Sequence, residues 1–272
     1  MTDRYVVVGN PIAHSKSPLI HTQFAQQTQQ DIHYSSLLVD IDHFSEAVQR
    51  FRIAGGKGLN ITVPFKIDAW HYADKLTDLA HRAGAVNTLI FKDDGSVLGA
   101  NTDGIGIVRD LIHNHAIHLD QQRILLLGAG GAAQGVIQPL LAENPSLLHI
   151  ANRTVSKAEQ LAHDFSDLGN VTGGGFESIA TQKFDLIINA TAASLQGHVP
   201  PISKHCLASG GSCYDMMYSV EDTAFVTWAK QRGAVKSLDG LGMLIEQAAE
   251  AFYLWRGIRP DTASVFEYIE NL

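Results

Sequence analysis

A glycine-rich loop near the middle of the chain constrains the fold more than any other feature. Residues 123–127 read as a buried parallel strand, and the next six residues are Gly-Ala-Gly-Gly-Ala-Ala, followed by a helix-like stretch. In this order the first glycine permits a tight turn, the second lets backbone approach a pyrophosphate, and the small third position lets helix and strand pack closely. The pattern predicts a dinucleotide site at a helix N-terminus. A glycine-rich turn with only a structural role is the alternative.

Short apolar runs alternate with helix-like stretches through most of the chain, which predicts an α/β fold with mainly parallel sheet. Residues 93–96 (Asp-Asp-Gly-Ser) lie between two such runs and predict a hairpin. We predict strands at residues 5–9, 33–39, 59–63, 87–92, 97–100, 123–127, 147–151, 184–189, 212–215 and 235–238.

Two helices have clear boundary signals. Ser17 is predicted to be an N-cap, because a hydroxyl there is followed by Pro18 in the first turn. Residues 241–256 predict a long helix, ended by Gly257 and by a proline three residues further on. Its apolar stripe contains one polar residue, Gln247, which is either a boundary residue at the rim of the stripe or a group that reaches into a ligand cleft.

Composition excludes several classes of protein. The chain of 272 residues is long enough for one large domain or two ordinary ones. Its residues are 45% hydrophobic, which is enough to form a buried core, so disorder is not expected. A net charge of −8 argues against a nucleic-acid partner. The two cysteines provide neither a disulfide framework nor paired zinc spacing. With no signal-like start and no apolar run of about 18 residues, we expect a soluble cytoplasmic protein without a membrane partner.

A histidine cluster at residues 113, 115 and 118 has to be weighed as a metal site. His113 and His115 would point to different helix faces, and no carboxylate frames them. We therefore expect no metal.

The strand after the glycine loop indicates which cofactor is bound. A site for the 2′-hydroxyl form needs an acid about 20 residues beyond the glycines. Here the strand ends in Asn152, Arg153 and Thr154, with Lys157 following, and no acid stands at its tip. Arg153 can stack on adenine and pair with a 2′-phosphate, while Thr154 and Lys157 add donors. This favours NADP(H) over NAD(H), although Arg153 alone would also fit a solvated loop charge.

Three polar clusters lie outside this nucleotide region. Ser15 and Ser17 stand at a predicted helix start, where free N–H groups suit a carboxylate; ordinary capping by Ser17 alone is the alternative. Lys66 follows a predicted strand at the end where parallel sheets bind ligands, but a surface lysine would look the same. Asn87 and Asp103 flank the hairpin, and Asp103 would also serve as a plain helix cap.

Taken together, these residues and their order resemble the shikimate dehydrogenase family. The matching blocks run through nearly the whole chain, so the resemblance is more specific than any one motif. Two loops depart from the family pattern: residues 192–194 are Ala-Ala-Ser where relatives often have Ser-Ser-Gly, and Ser219 replaces a common glycine. The matching blocks are residues 9–11, 15–18, 60–66, 84–88, 101–104, 128–132, 152–154, 189–191, 214–218 and 239–244.

The resemblance implies an NADP-dependent oxidoreductase that reduces 3-dehydroshikimate to shikimate on the route to aromatic amino acids. It implies Lys66 and Asp103 as the catalytic pair. The same two residues are implied to contact the substrate. The other implied substrate contacts are Ser15, Ser17, Thr62, Asn87, Tyr218 and Gln247. The implied cofactor contacts are Asp78, Gly128, Ala129, Gly130, Gly131, Ala132, Asn152, Arg153, Thr154, Lys157, Met216 and Gly240.

The implied architecture is a two-domain α/β protein. Residues 1–102 with 241–272 would form an N-terminal α/β substrate domain, and residues 103–240 a Rossmann-type dinucleotide-binding domain. The chain would act as a monomer or a homodimer. Two rival interpretations are a shikimate/quinate dehydrogenase that uses NAD and a non-catalytic NADP-binding sensor. The absent acid beyond Arg153 argues against the first, and retention of Lys66 and Asp103 against the second.

The chemistry of the implied pair follows from ordinary acid strength. An unperturbed lysine has a pKa of about 10.4, so it is a ready acid and a poor base near neutrality. Lys66 would donate a proton to the substrate's oxygen or stabilise its developing charge. Asp103 would orient the ammonium, and the sequence leaves open how the two divide the proton transfer.

Overall fold

Strands and helices alternate along the chain, and the computed structural model describes residues 2–270. The strands are β1 (Asp3–Gly9), β2 (Ile32–Leu38), β3 (Gly56–Ile61), β4 (Lys75–Leu76), β5 (Thr88–Phe91), β6 (Val97–Ala100), β7 (Arg123–Leu127), β8 (Leu147–Ala151), β9 (Val171–Gly174), β10 (Phe184–Asn189), β11 (Leu207–Asp215) and β12 (Ser237–Leu238). The helices are α1 (Ser17–Thr28), α2 (Phe44–Ile53), α3 (Lys66–Tyr72), α4 (Asp78–Ala83), α5 (Asp103–Arg109), α6 (Gly131–Ala142), α7 (Val155–Asp164), α8 (Ala224–Gln231), α9 (Leu241–Arg256) and α10 (Ala263–Glu270).

The chain divides into two compact units. Unit 1 comprises the residues up to Gly106 together with those from Leu244 onward, and unit 2 comprises Ile107–Met243. Each unit contains one six-stranded sheet.

The sheet of unit 1 has the order β2-β1-β3-β5-β6-β4. Its pairing is parallel for β1 with β2 and β3 and for β4 with β6, and antiparallel where β5 meets β3 and β6. The predicted hairpin between β5 and β6 is confirmed. Asp94 Oδ1 accepts the backbone N–H of Ser96 at 2.9 Å, and Gly95 adopts the positive φ that this turn requires.

The sheet of unit 2 is parallel throughout, in the order β12-β11-β10-β7-β8-β9. Every residue from Ile124 to Leu127 in the central strand β7 is fully buried, because helices cover both faces of such a sheet. The chain order reverses between β7 and β10. A doubly wound sheet binds its ligand at the carboxyl ends of the strands beside this switch point.

Most predicted elements are confirmed, and several boundaries differ. Ser17 is the first residue of α1 rather than its N-cap, because Ser15 Oγ accepts the Ser17 N–H at 3.3 Å and Lys16 occupies the cap without a side-chain bond. Strand β11 starts at Leu207, earlier than predicted, and β12 covers only Ser237–Leu238.

Helix α9 has the predicted bounds but a wider buried surface than the predicted stripe. Glu246 and Glu250 are buried on it, although both would be assigned to a solvated face from the sequence pattern. Glu246 Oε1 accepts the hydroxyl of Thr262 at 2.7 Å, and Glu250 pairs with Arg259. Residues beyond the helix therefore supply the partners that allow the two acids to be buried.

Candidate active site

Lys66 is held at the start of α3 in unit 1. The preceding Phe65 is buried and stacks on Phe44, with ring centroids 5.4 Å apart. The backbone carbonyl of Lys66 accepts the N–H of Val86 at 2.9 Å. The backbone is thus fixed on both sides, while the Lys66 side chain keeps 22% of its surface accessible. The ammonium can therefore meet a ligand from solvent.

Asp103 is the first residue of α5 and faces this lysine. Its carboxylate Oδ2 accepts a hydrogen bond from Lys66 Nζ at 2.5 Å, and its side chain is 9% exposed. The Asp103 N–H donates to Asn101 Oδ1 at 3.1 Å, which fixes the first turn. The two predicted catalytic residues therefore form an ion pair that is partly shielded from water.

Asn87 fixes the other oxygen of the Asp103 carboxylate. Its amide nitrogen donates to Asp103 Oδ1 at 2.8 Å and to Thr102 Oγ1 at 2.9 Å, and lies 3.3 Å from Gln247 Oε1. Its amide oxygen accepts the N–H of Thr102 at 2.9 Å. The amide can satisfy both sets of contacts only with its NH₂ directed at the carboxylate. Asn87, Asp103 and Gln247 thus belong to one hydrogen-bonded group.

A chain of buried side chains supports Asn87 from inside the unit. The Tyr34 hydroxyl donates to Asn60 Oδ1 at 2.7 Å, and Asn60 Nδ2 donates to Thr88 Oγ1 at 3.0 Å. Thr88 Oγ1 in turn donates to Asn87 Oδ1 at 3.0 Å. Sequence reasoning gave no role to Tyr34 or Thr88. The sequence signal that could have found them is a residue with a polar group at a strand position whose side chain, by the alternation along the strand, points into the core.

The remaining predicted substrate residues of unit 1 lie on the segments that follow β1 and β3. Ser17 is buried and Ser15 half-buried, and the Ser17 hydroxyl contacts the phenol of Tyr34. Burial raises the pKa of Tyr34 far above its usual value, so this phenol remains a neutral donor. Thr62 is half-buried, and its N–H donates to the carbonyl of Val8 at 2.9 Å. The two serines are thus linked through Tyr34 to the Asn87 network.

Asp78 stands apart from this network. It is exposed in the first turn of α4, which the Thr77 side chain caps by accepting the N–H of Ala80 at 3.3 Å. The partial positive charge of a helix N-terminus stabilises a carboxylate in the first turn, so Asp78 also contributes to the stability of α4.

The glycine loop of unit 2 leaves room for a phosphate group. Gly128 has φ +108°, and a Cβ there would lie 3.1 Å from Thr191 Cγ2. A Cβ at Gly130 or Gly131 would instead project into open space. Helix α6 starts at Gly131, and no side chain of the described residues caps its first turn. Uncapped N–H groups beside an open cradle fit a pyrophosphate.

The tip between β8 and α7 provides positive charge. Arg153, Thr154 and Lys157 are all exposed there, and Asn152 is half-buried. The Asn152 side chain donates to the carbonyl of Thr154 at 3.0 Å and so shapes the turn. Residues 152–157 contain no acid, so this tip fits a 2′-phosphate rather than a free ribose hydroxyl.

Met216, Tyr218 and Gly240 lie on the segments that follow β11 and β12. The Gly240 N–H donates to the carbonyl of Met217 at 3.0 Å, and a Cβ at Gly240 would lie 2.3 Å from the Met216 carbonyl oxygen. Because the Met216 carbonyl lies so close to this backbone, only glycine fits at position 240. Met216 is buried and Tyr218 half-buried; burial, reinforced by the charge of Asp239, raises the pKa of the Tyr218 phenol. This phenol is a donor throughout the neutral range.

Between residues 2 and 270 there is no cluster of three or more His, Cys, Asp or Glu side chains that could hold a metal ion. No helix in the same part of the chain combines the length and the apolar character needed to cross a membrane.

Family models match three successive parts of the chain. Residues 7–89 match the substrate binding domain of shikimate dehydrogenase, and residues 110–197 match shikimate / quinate 5-dehydrogenase. Residues 240–265 match the shikimate 5′-dehydrogenase C-terminal domain.

Individual relatives match over almost their full length. The chain is 57% identical over 265 residues to a shikimate dehydrogenase (NADP(+)) of Cellvibrio japonicus, covering 97% of this chain and 96% of that protein. It is similar to the crystal structure of an Ael1 enzyme from Pseudomonas putida, with a TM-score of 0.91 and 42% identity over 98% of both chains. It is also similar to a Thermus thermophilus shikimate 5-dehydrogenase solved with NADP(H) and shikimate, with a TM-score of 0.87 and 30% identity over 98% of both chains.

Proposed function

Since the chain belongs to the shikimate dehydrogenase family, we propose that it catalyses the reversible, NADPH-dependent reduction of 3-dehydroshikimate to shikimate. The observation that carries this proposal is the 2.5 Å contact between Lys66 Nζ and Asp103 Oδ2, beside the amide of Asn87. A non-catalytic nucleotide sensor would have no need for an accessible ammonium held in this way.

The reaction needs one hydride and one proton. NADPH, when bound, supplies the hydride to the C3 carbonyl carbon of the substrate. The Lys66 ammonium donates the proton to the carbonyl oxygen, which becomes the hydroxyl. Asp103 fixes the position of the ammonium, and Asn87 holds the Asp103 carboxylate in place. In the oxidative direction the hydroxyl proton passes to the neutral amine of the same lysine, so this direction first requires the ammonium to lose its proton.

Substrate binding and cofactor binding are proposed to belong to different domains. The substrate domain, proposed as residues 1–102 with residues 241–272, binds the substrate, and the dinucleotide-binding domain, proposed as residues 103–240, binds NADP. The substrate's carboxylate and hydroxyl groups are contacted by the side chains of Ser15, Ser17, Thr62, Lys66, Asn87, Asp103, Tyr218 and Gln247. The hydroxyl and amide groups of this set suit a polyhydroxylated acid.

The proposed cofactor site lies at the carboxyl ends of the unit 2 strands. The backbone of Gly128–Ala132 contacts the pyrophosphate, and Asn152, Arg153, Thr154 and Lys157 contact the 2′-phosphate end. Met216 and Gly240 lie against the cofactor, and Asp78 is proposed as a further contact. Support comes from the open cradle at Gly130 and Gly131 and from the exposed guanidinium of Arg153.

We further propose a cytoplasmic monomer or homodimer with no nucleic-acid partner. Both cysteines, Cys206 and Cys213, are free and buried, which suits a reducing compartment. The net charge of −8 disfavours binding to a polyanion.

One assay tests the proposed activity. The purified protein is offered shikimate or quinate, each with NADP⁺ or NAD⁺, and absorbance of the reduced nicotinamide is recorded. We expect turnover with shikimate and NADP⁺ to exceed that of the other three combinations. No turnover with this pair would overturn the proposal, and faster turnover with NAD⁺ would overturn the cofactor assignment.

A further inference from the structure

Asp215 is a fully buried carboxylate at the carboxyl end of β11. Its register partner on the neighbouring strand is Asn189, the last residue of β10. Among residues 2–270 no Lys, Arg or His forms an ion pair with it. A buried charge is costly unless hydrogen bonds replace its hydration, so the groups around Asp215 have to supply them.

Hydrogen-bond donors from both neighbouring strand ends meet this carboxylate. Oδ1 accepts from Asn189 Nδ2 at 3.0 Å and from the N–H of Met217 at 3.1 Å, and Oδ2 accepts from Thr223 Oγ1 at 2.7 Å. Burial raises the pKa of Asp215, and hydrogen bonds from Ser194, Thr223, Met217 and Asn189 oppose that rise. A single carboxylate therefore organises segments that are distant in sequence.

Through Asn189, Asp215 holds the loop that follows β10. Asn189 Oδ1 accepts from the N–H of Thr191 at 3.2 Å and from its hydroxyl at 2.7 Å. Asn189 Nδ2 also lies 3.1 Å from Ser194 Oγ. Thr191 is the side chain that faces Gly128 of the glycine loop. The position of this loop against the phosphate cradle thus depends on the Asn189 amide.

Through Met217 and Thr223, the same carboxylate holds the loop that follows β11. The Met217 N–H bonds to Asp215, and the Met217 carbonyl accepts the N–H of Gly240 at 3.0 Å. Thr223 caps α8 by accepting the N–H of Val226 at 3.2 Å. Residues 216–223 are thus tied to Asp215 near both ends. Met216, one of the proposed cofactor contacts, lies within this loop.

The sheet order determines which half of a dinucleotide these loops can reach. β10 and β11 lie on one side of β7, whereas β8, which carries Arg153 at its tip, lies on the other. A dinucleotide bound across such a switch point places one nucleotide over each side. The β8 side of the sheet, with Arg153 at its tip, fits the adenosine 2′-phosphate. The nicotinamide half would therefore lie on the other side of β7, over the loops that Asp215 holds.

We propose that Asp215 is a positioning residue for the nicotinamide half of NADP, acting through the loops that follow β10 and β11. The inference rests on the proposed function, because it presupposes that unit 2 binds NADP. Because Asp215 is fully buried, it would act through its hydrogen-bonded neighbours and not by direct contact with the cofactor.

The test compares two ligands that share only the adenosine half. Kd values of NADPH and of adenosine 2′,5′-bisphosphate are measured by calorimetry for the parent protein and for Asp215→Asn. We expect NADPH to bind roughly tenfold more weakly to the variant, the scale of one lost hydrogen bond to a charged group, and the bisphosphate to keep its affinity. The emission of bound NADPH should shift towards that of the free cofactor, because its ring is no longer held.

Three further variants make the result decisive. Asp110→Asn replaces a second fully buried carboxylate of unit 2, which accepts from the Tyr214 hydroxyl, and should leave the ratio of the two Kd values unchanged. Thr223→Ala removes one donor to Asp215 and should weaken NADPH alone by a smaller factor, with Thr223→Ser restoring it. This pair decides the matter if Asp215→Asn does not fold.

The outcomes separate this inference from the proposed function. Equal weakening of NADPH and the bisphosphate, or no change in either, would overturn the positioning role. A parent protein that binds neither ligand and turns over no shikimate would overturn the proposed function itself, and the inference with it.

Discussion

Lys66 and Asp103, whose charged atoms lie 2.5 Å apart, are each the first residue of a helix. A helix N-terminus carries partial positive charge, so it favours an aspartate and disfavours a lysine. The Asp103 carboxylate offsets the unfavourable position of the Lys66 ammonium, and the Asn87 amide prevents the carboxylate from turning away. The same contacts that stabilise the pair also keep the ammonium directed and accessible.

Replacing Lys66 by alanine should lower kcat far more than it raises the KM for shikimate. The proposed proton donor is lost while the hydroxyl and amide groups proposed to bind the substrate remain, and such donors contribute on the order of 10²- to 10⁴-fold. Steady-state kinetics of Lys66→Ala measures both constants. Lys57→Ala, an exposed lysine on β3, is the matched control and should behave like the parent. A large rise in KM with kcat preserved would reduce Lys66 to a binding residue.

Replacing Arg153 by serine should weaken discrimination between the two nicotinamide cofactors. Arg153 is exposed at the β8 tip, where it is proposed to bind the 2′-phosphate. Loss of that charged contact should raise the KM for NADP⁺ by roughly 10- to 100-fold, with the KM for NAD⁺ nearly unchanged. Arg232→Ser, an exposed arginine in the same unit, serves as control. Parallel changes in both KM values would argue that Arg153 does not contact the 2′-phosphate.

The nucleotide-binding part of the fold could be predicted from sequence because its signals are local. The apolar strand, the glycines and the helix that follows them are contiguous, so β7 and α6 were predicted with their loop. The contact between Lys66 and Asp103 is of another kind. They lie 37 residues apart, and only the pairing of β3, β5 and β6 brings their helices together. Nothing in the spacing of the two residues predicts this contact, and only the family resemblance pointed to it.

The buried polar side chains could not be predicted, because a polar residue in a strand or helix looks the same whether or not it has a partner. Asn60 and Thr88 lie on strands β3 and β5, and both are buried because they hydrogen-bond to each other and to Tyr34 and Asn87 respectively. Glu250 is also buried because it has a tertiary partner. That partner is Arg259, which lies beyond the end of α9 and forms an ion pair with it. Burial of such groups depends on tertiary contacts that no periodicity contains.

A buried histidine should make the stability of unit 1 fall in acid. His21 is fully buried against Tyr34, with parallel rings 4.1 Å apart, and is surrounded by Phe24, Phe252 and Trp255. Burial lowers its pKa to about 3, an effect that the side chain of Asn60 partly opposes. The folded protein therefore keeps His21 neutral, whereas the unfolded chain binds a proton below a pH of about 6.5.

The sign of this effect follows from proton linkage. The contribution of His21 to stability is complete above pH 6.5 and is lost at about 1.4 kcal/mol per pH unit as the pH falls towards 3. In urea unfolding, His21→Phe should therefore lose about 2 kcal/mol less than the parent between pH 7.5 and pH 5. His33→Asn, an exposed histidine on β2, should show the parent's pH dependence. Identical slopes for His21→Phe and the parent would mean that His21 binds a proton as readily in the folded state as in the unfolded chain.

Gly58 on β3 should not tolerate alanine, because α9 packs directly on it. A Cβ there would lie 2.6 Å from both the Leu89 carbonyl oxygen and Trp255 Nε1. These two atoms hydrogen-bond to each other at 3.1 Å, and the indole also packs on Tyr5, with ring centroids 4.5 Å apart. The extra methyl group must displace this contact, at a cost of about 1–3 kcal/mol in the free energy of unfolding.

A double-mutant cycle attributes that cost to the helix contact. Trp255→Phe removes the indole nitrogen and its hydrogen bond to Leu89, so it should relieve part of the crowding at Gly58. Gly58→Ala and Trp255→Phe together should then destabilise the protein by less than the sum of the two single changes, as measured by urea unfolding at pH 7.5. Lys57→Ala, at the exposed neighbouring position, should not couple to Trp255→Phe. Strict additivity would instead assign the cost of Gly58→Ala to the β5 backbone, where the Leu89 oxygen cannot move without breaking the sheet.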